Sequence, residues 1–424
     1  MIPLLRHLCP SARTIPAIVS QNPRITTYPH HRVPNFEFKR TIMASREVKT
    51  SLIDFMRGHP STELLATSEM LAAANAVLGS PDLPQDSYDE DRHPLHYGPD
   101  LGNISFRREL GIWSAIRYGL KSPTPPEMIN LTSGASNGLS KALELFTNPI
   151  GGYTRRAFIL TPVYFLACPI FQDAGFSNLL TAIPLTSCGT SLDFPTLISH
   201  LNSSSSSSPQ PSLESAISPV KSSIPKPLYR HVLYCVPTFS NPTGTTLSLS
   251  SRTQLVKLAR EHDILLITDD VYDFLDYQNS PSKQQHNTPA IKRLVDIDRE
   301  LGVNPGEKGN TLSNCSFSKI LGPGVRCGWV EGATGVLADA MGRSGANHSG
   351  GTPCQFSSTI IHRLLIEGNG GRRVIDDVIG NICTAYRRRA ELLKDAIGRY
   401  WPEGTEVQGG DGGVFCMGQV GGWV

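Results

Sequence analysis

The stretch VLYCVPTFSNPTGTTLSLSSRTQLVKLAREHDILLITDDVY, residues 232–272, decides how the chain folds. Two short apolar runs, Val232 to Val236 and Ile264 to Thr268, flank a helical pattern from about Leu249 to Glu261. Apolar runs of that length suit strands buried on both faces, and a helix between two of them is the crossover of a parallel βαβ unit. The same alternation continues outward. Met128 to Thr132 reads as a strand feeding a helix from Ala135 to Phe146, Ala157 to Leu160 as the next strand, and Asn314 to Phe317 and Cys327 to Val330 as two more. The predicted class is therefore α/β, with a three-layer α/β/α large domain and a mostly parallel sheet. From about Gln355 the pattern turns helical, with an amphipathic stretch over Val374 to Tyr400, a Gly-rich segment and the apolar run Val414 to Met417. These predict a smaller α+β domain that has only begun when the sequence ends.

Length and composition agree. The 424 residues suffice for about two or three domains. Lys and Arg total 39 against 37 Asp and Glu, without a long block of either sign, so no nucleic-acid partner is expected. Nine scattered cysteines show no C-x-x-C spacing, which speaks against a zinc or redox site and suits a reducing compartment. No apolar run approaches the roughly 20 residues of a membrane helix, so no membrane partner is expected.

Two segments fall outside the alternation. The first 36 residues carry Arg6, Arg13, Arg24 and Arg32 and no acidic residue. That is the composition of a mitochondrial transit peptide. It equally fits a disordered tail, or initiation at Met43, so the expected compartment is mitochondrial or cytoplasmic. Asn202 to Pro227, with serines at 203–208 and several prolines, predicts a surface insertion.

The chemistry concentrates after the predicted strands. Ser316-Phe317-Ser318-Lys319 places a lysine just past an apolar strand, where partial desolvation would free its amine as a nucleophile. Arg326 follows seven residues later and, with the serines, offers donors suited to a phosphate. Thr132-Ser133-Gly134-Ala135-Ser136-Asn137-Gly138 closes a strand and opens a helix, whose free N–H groups favour an anion. Asp269-Asp270-Val271-Tyr272 lies at a strand's carboxyl edge, where open α/β sheets bind ligands. Taken singly, these are also a solvated lysine, a helix cap and loop carboxylates, and Asn241-Pro242-Thr243-Gly244 is a plain β-turn.

As an ordered set they resemble the fold-type I, pyridoxal-phosphate-dependent aminotransferases of class I/II. From about Ser51 onward the match runs through DFMRGHP (54–60), HYGPDLG (96–102), TSGASNG (132–138), TPVY (161–164), NPTG (241–244), DDVY (269–272), SFSK (316–319) and GVRCGW (324–329). The resemblance implies a cofactor, pyridoxal 5'-phosphate, carried by Lys319 as a Schiff base, with the same lysine as general base. It implies that Asp269 pairs with the pyridine nitrogen, that Asn241 and Tyr272 donate to the phenolic oxygen, and that Tyr164 stacks on the ring. Ala135, Ser136, Ser316, Ser318 and Arg326 would hold the phosphate. Tyr97 would reach the phosphate of a neighbouring subunit, implying a homodimer, and Gly58 would line the substrate pocket. The implied domains are an extension over 1–42, a segment over 43–95 joining the small domain, a large cofactor domain over 96–345 and a partial small domain over 346–424.

One departure stands out. Relatives continue past Gly412-Gly413-Val414-Phe415 to an arginine that clamps the substrate carboxylate, whereas this sequence stops at Val424, so the small domain is expected to be C-terminally truncated. Arg387, Arg388 and Arg389 read instead as a solvated helix face. The expected activity is amino transfer from an L-amino acid, of aromatic or 2-aminoadipate type, to a 2-oxo acid. The alternatives are a C–S β-lyase or elimination enzyme on the same fold, and an inactive truncated homologue.

Overall fold

The computed structural model describes residues 58, 60–84, 91–205, 227–277, 291–304, 306–368 and 370–419. The extension over 1–42, and with it the transit-peptide reading, lies outside these residues. So does most of the Ser/Pro-rich segment.

Seven strands form the central sheet: β1 (Ile129–Thr132), β2 (Arg156–Thr161), β3 (Leu180–Pro184), β4 (His231–Cys235), β5 (Ile264–Asp269), β6 (Thr311–Ser316) and β7 (Gly328–Gly332), in the order β1-β7-β6-β5-β4-β2-β3. Four neighbouring pairs are parallel, and β7 alone runs antiparallel, to both β1 and β6. The strands other than β7 therefore share one direction. Thr132, Thr161, Cys235, Asp269 and Ser316 all finish at the same edge of the sheet.

Side-chain alternation makes the layers. Val232 and Tyr234 of β4, with Leu265 and Ile267 of β5, enter one core, while Leu233, Cys235, Ile264 and Leu266 enter the other. Helix Ala135–Phe146 covers the first face with Leu139, Ala142, Leu143 and Phe146. Helix Leu249–Glu261 covers the second with Leu255, Val256, Leu258 and Ala259. The latter starts where Ser248 caps it, its Oγ accepting from the N–H of Ser251 at 3.2 Å. The period-2 strand and the amphipathic helix together give the three layers.

Toward the C-terminus, helices Gln355–Leu365 and Val374–Tyr400 precede an antiparallel pair, β8 (Glu406–Gly409) and β9 (Cys416–Gln419). Helix Thr67–Leu78 packs on Gln355–Leu365, which also packs on Ile104–Tyr118.

Three sequence expectations need correction. The predicted loop from Asn202 begins as helix, because Phe194–Ser205 is anchored by buried Leu197 and Leu201 and serine costs a helix little. The predicted strand at Val414 to Met417 forms only from Cys416, because the residues before it dock elsewhere: the Gly413 N–H donates to Leu275 O at 2.9 Å, and its carbonyl accepts from the Tyr277 hydroxyl at 2.6 Å. Edge strand β3 escaped the sequence reading because LTAIP is half-exposed and lacks an uninterrupted apolar run.

Candidate active site

The shared strand edge gathers the chemistry. Asp269, the last residue of β5, is 8% exposed. Its Oδ2 accepts from the Tyr234 hydroxyl at 2.7 Å, while Oδ1 is buried without a hydrogen-bond partner. Burial raises this carboxyl to about 6; the charge of Asp270 adds to the rise, while the Tyr234 bond and the Lys319 amine oppose it. Asp270 faces the other way, accepting at Oδ2 from Thr268 Oγ1 at 2.7 Å and from the Ser313 hydroxyl. The carboxylates at the end of β5 and just beyond it thus have different surroundings, as the alternation of an extended chain requires.

Lys319 closes a short helical turn, Phe317–Lys319, that follows β6 and is capped by Ser316, whose Oγ accepts from the Ser318 N–H at 3.2 Å. The half-buried Nζ donates to Gly58 O at 2.5 Å and lies 5.8 Å from the centre of the Tyr272 ring. Burial lowers the amine pKa, and Asp269 restores part of it. The Asn241 side chain lies beside the Tyr272 phenol and favours its ionised form. Burial, and then the Asp269 charge, push that phenol above its ordinary range, with Asn241 opposing them. Tyr164 is half-buried and also raised, by burial and then by Asp269, which places it in the same electrostatic neighbourhood.

Beside this group lies an anion cradle. Helix Ala135–Phe146 follows Gly134, which sits at φ 106°, and carries no side-chain cap, so the N–H groups of Ala135 and Ser136 face outward from the helix end without a capping side chain. Arg326 reaches across, donating from Nη2 to Ser133 O at 2.7 Å and from Nη1 to Pro323 O at 3.0 Å. A Cβ at position 134 would stand 2.6 Å from that Nη2, and one at Gly328 would stand 2.9 Å from the Gly134 Cα. Only glycines admit this approach of arginine, helix end and β7. The hydroxyls of Ser316 and Ser318, 2.8 Å apart, lie on the adjoining β6 turn.

The arrangement fits a pyridoxal phosphate on its own geometry. Unpaired Oδ1 of Asp269 matches a ring N–H⁺, the helix end with Arg326 matches a phosphate dianion, and the desolvated amine of Lys319 matches an aldehyde. No group of acidic, His and Cys side chains among the described residues could hold a metal.

Two residues at the site escaped sequence reasoning. Tyr234 sits in an apolar strand and reads as core. Phe415 lies in an apolar run that reads as strand, yet its ring meets Tyr272 edge-on at 5.9 Å and covers Gly58. A Cβ at position 58 would fall 2.3 Å from Phe415 Cζ. Gly58→Ala is therefore expected to cost about 1–3 kcal/mol, seen as a lowered melting temperature, whereas Gly398→Ala, at a helix position with open space, should not destabilise.

Other expected residues lie apart. Tyr97 is 74% exposed, with its ring against Gly350. Of the arginine triplet, Arg388 and Arg389 are exposed, and Arg389 pairs with Glu63 at 2.7 Å. Arg387 departs from a solvated face: it shares the helix side of buried Cys383, so its Nε and Nη2 are out of solvent.

Comparison with known proteins places this geometry. The model of the family "Aminotransferase class I and II" matches residues 60–421. A Saccharomyces cerevisiae protein, the uncharacterized YER152C, is 40% identical over 375 residues, covering 87% of this chain and 82% of its own length. Aromatic-amino-acid aminotransferase 1 of Thermococcus litoralis is 25% identical over 362 residues, 83% of this chain and 74% of that protein. Among solved structures, the multiple substrate aminotransferase of Thermococcus profundus superposes with a TM-score of 0.62 at 24% identity, over 88% of this chain and 79% of its own. The kynurenine aminotransferase of Pyrococcus horikoshii gives 0.63 at 23% identity, over 87% and 76%. Both structures share the fold.

Proposed function

The chain belongs to the class I and II aminotransferases and is a pyridoxal-phosphate-dependent transaminase, and from that premise we propose that Lys319 carries the cofactor and moves the proton of its reaction. The observation that supports this most is the Lys319 amine, desolvated at the strand edge that also presents the unpaired Asp269 oxygen.

Bound here, pyridoxal phosphate would supply an electrophilic carbon at which the substrate amine replaces the lysine amine, and an electron-poor ring to stabilise negative charge at the substrate α-carbon. The chain's residues do the rest. Asp269 would hold the ring nitrogen protonated through its charge. Asn241 and Tyr272 would hold the phenolic oxygen, and Tyr164 would cover a ring face. Ala135, Ser136, Ser316, Ser318 and Arg326 would anchor the phosphate. Lys319 Nζ, whose lowered pKa enlarges its unprotonated fraction at neutral pH, takes the proton from the substrate α-carbon. Gly58 O is the acceptor that aims the amine before substrate arrives.

For the donor we propose an aromatic L-amino acid, with a 2-oxo acid as acceptor. The names of relatives support this class: L-tyrosine:2-oxoglutarate aminotransferase amt1 of Serpula lacrymans is 33% identical over 175 residues, 40% of this chain and 32% of that protein. We also propose a homodimer, in which exposed Tyr97 reaches a second subunit's site. Purified protein with tyrosine, phenylalanine, alanine or 2-aminoadipate and 2-oxoglutarate tests the assignment. Glutamate formed fastest with the aromatic donors supports it. Ammonia released without consumption of the oxo acid would point to elimination chemistry instead.

The pH dependence has a definite sign. A carboxyl with its pKa raised to about 6 is charged above that pH and neutral below it, and the Lys319 amine is likewise more protonated in acid. Cofactor affinity of the ligand-free protein is expected to weaken by about tenfold per pH unit below about 6. Fluorescence titration with pyridoxal phosphate checks this, and Asp269→Asn should remove the Asp269 component.

A further inference from the structure

Tyr234 has no part in the mechanism above, yet its placement is specific. It lies inside β4 and is 0% exposed, and its neighbours along the strand are buried. Its ring is held edge-on by Phe171, with centroids 6.1 Å apart. A buried hydroxyl in such a strand needs a partner, and the one it has is Oδ2 of Asp269, at 2.7 Å. Bonding Oδ2 leaves Oδ1 as the carboxylate oxygen without a partner.

We propose that Tyr234 is a positioning residue for the cofactor: by donating to Oδ2 it fixes the rotation of the Asp269 carboxylate, keeps it ionised, and reserves Oδ1 for a cationic ring nitrogen. This rests on the assignment of Asp269 as the partner of that nitrogen. The titratable and charged groups whose electrostatics couple to Asp269 are Tyr234, Tyr272, Tyr164 and Lys319, with Cys235 of β4 and Asp270 acting from the opposite face. Among these Lys319 is the one cation, and its amine is committed to the Gly58 carbonyl. Asp270 opposes ionisation. The phenol O–H therefore does the work of holding the charge. A hydrogen bond to a charged group of this kind corresponds to a pKa change of about one to two units.

The test is Tyr234→Phe in the full chain, which keeps the ring and its contact with Phe171. In ligand-free protein, the infrared C=O band of the protonated Asp269 carboxyl, assigned by its loss in Asp269→Asn, should titrate about one to two pH units higher than in wild type. Pyridoxal phosphate affinity should fall about 5- to 50-fold at pH 6 and about 2- to 10-fold at pH 7, and recover toward the wild-type value by about pH 9. A purely structural role would not produce recovery with pH. Unchanged carboxyl titration and affinity would overturn the proposal. So would a variant that fails to fold, since the hydroxyl would then serve the core. Wild-type protein that binds no pyridoxal phosphate at any pH would instead overturn the cofactor assignment, leaving the infrared shift to decide whether Tyr234 controls the carboxylate.

Discussion

Lys319→Ala is expected to lower amino transfer by about 10⁴-fold or more, with the fold intact. A positioned general base contributes up to about 10⁴, and here the same amine is also the nucleophile, so both contributions go together. The fold should survive because the side chain makes one hydrogen bond, to Gly58 O, and is half-buried in a crevice rather than in either core. Lys319→Arg should fail as badly. A guanidinium keeps the charge but does not give up a proton at neutral pH, so a deficit of that size in Arg as well as Ala would locate the requirement in a deprotonable amine. Steady-state rates alongside circular dichroism and melting curves check both variants.

Asp269→Ala is expected to weaken cofactor binding by two to nearly four orders of magnitude. Removing one member of a buried ion pair costs about 3–5 kcal/mol, and about 1.4 kcal/mol is tenfold in affinity. Asp269→Asn should lie close to it, because the amide still accepts from Tyr234 but brings no charge to the ring nitrogen. The contrast is Asp270. Bound to Thr268 and Ser313, it should affect stability when changed to Asn, with a smaller effect on cofactor affinity. Equilibrium dialysis against pyridoxal phosphate, with melting curves for the same proteins, separates the two neighbours.

Much of the fold was legible because burial writes itself into the sequence as periodicity. The helices Ala135–Phe146, Leu249–Glu261 and Val374–Tyr400 have the bounds that their patterns gave, and the strands β4 and β5 fall within a residue of theirs. The bounds of β9 did not follow from pattern, because Gly412 and Gly413 are held by Phe239 and Leu275, far away in the chain. β8, with a single apolar residue in EVQG, gives no periodic signal.

The site divides in the same way. Lys319 and Asp269 stand out in sequence as polar residues at the ends of apolar runs, whereas Asn241, Tyr272 and Arg326 become legible only through the ordered set of motifs NPTG, DDVY and GVRCGW, each of which is weak alone. Tyr234 and Phe415 do not, since an aromatic in an apolar run looks like any core residue until the carboxylate or the glycine opposite it is known. The bond from Lys319 to Gly58 spans 261 positions, and no local spacing encodes it.

The central claim is that Lys319 is the lysine that carries the cofactor, and one measurement addresses it directly. The protein is loaded with pyridoxal phosphate, reduced with borohydride, digested and mapped by mass spectrometry. The expected result is stoichiometric retention of the cofactor on the peptide containing Lys319. Retention on another lysine, such as Lys141, whose amine burial also lowers, to about 8, would contradict the assignment. So would protein that retains no cofactor at all.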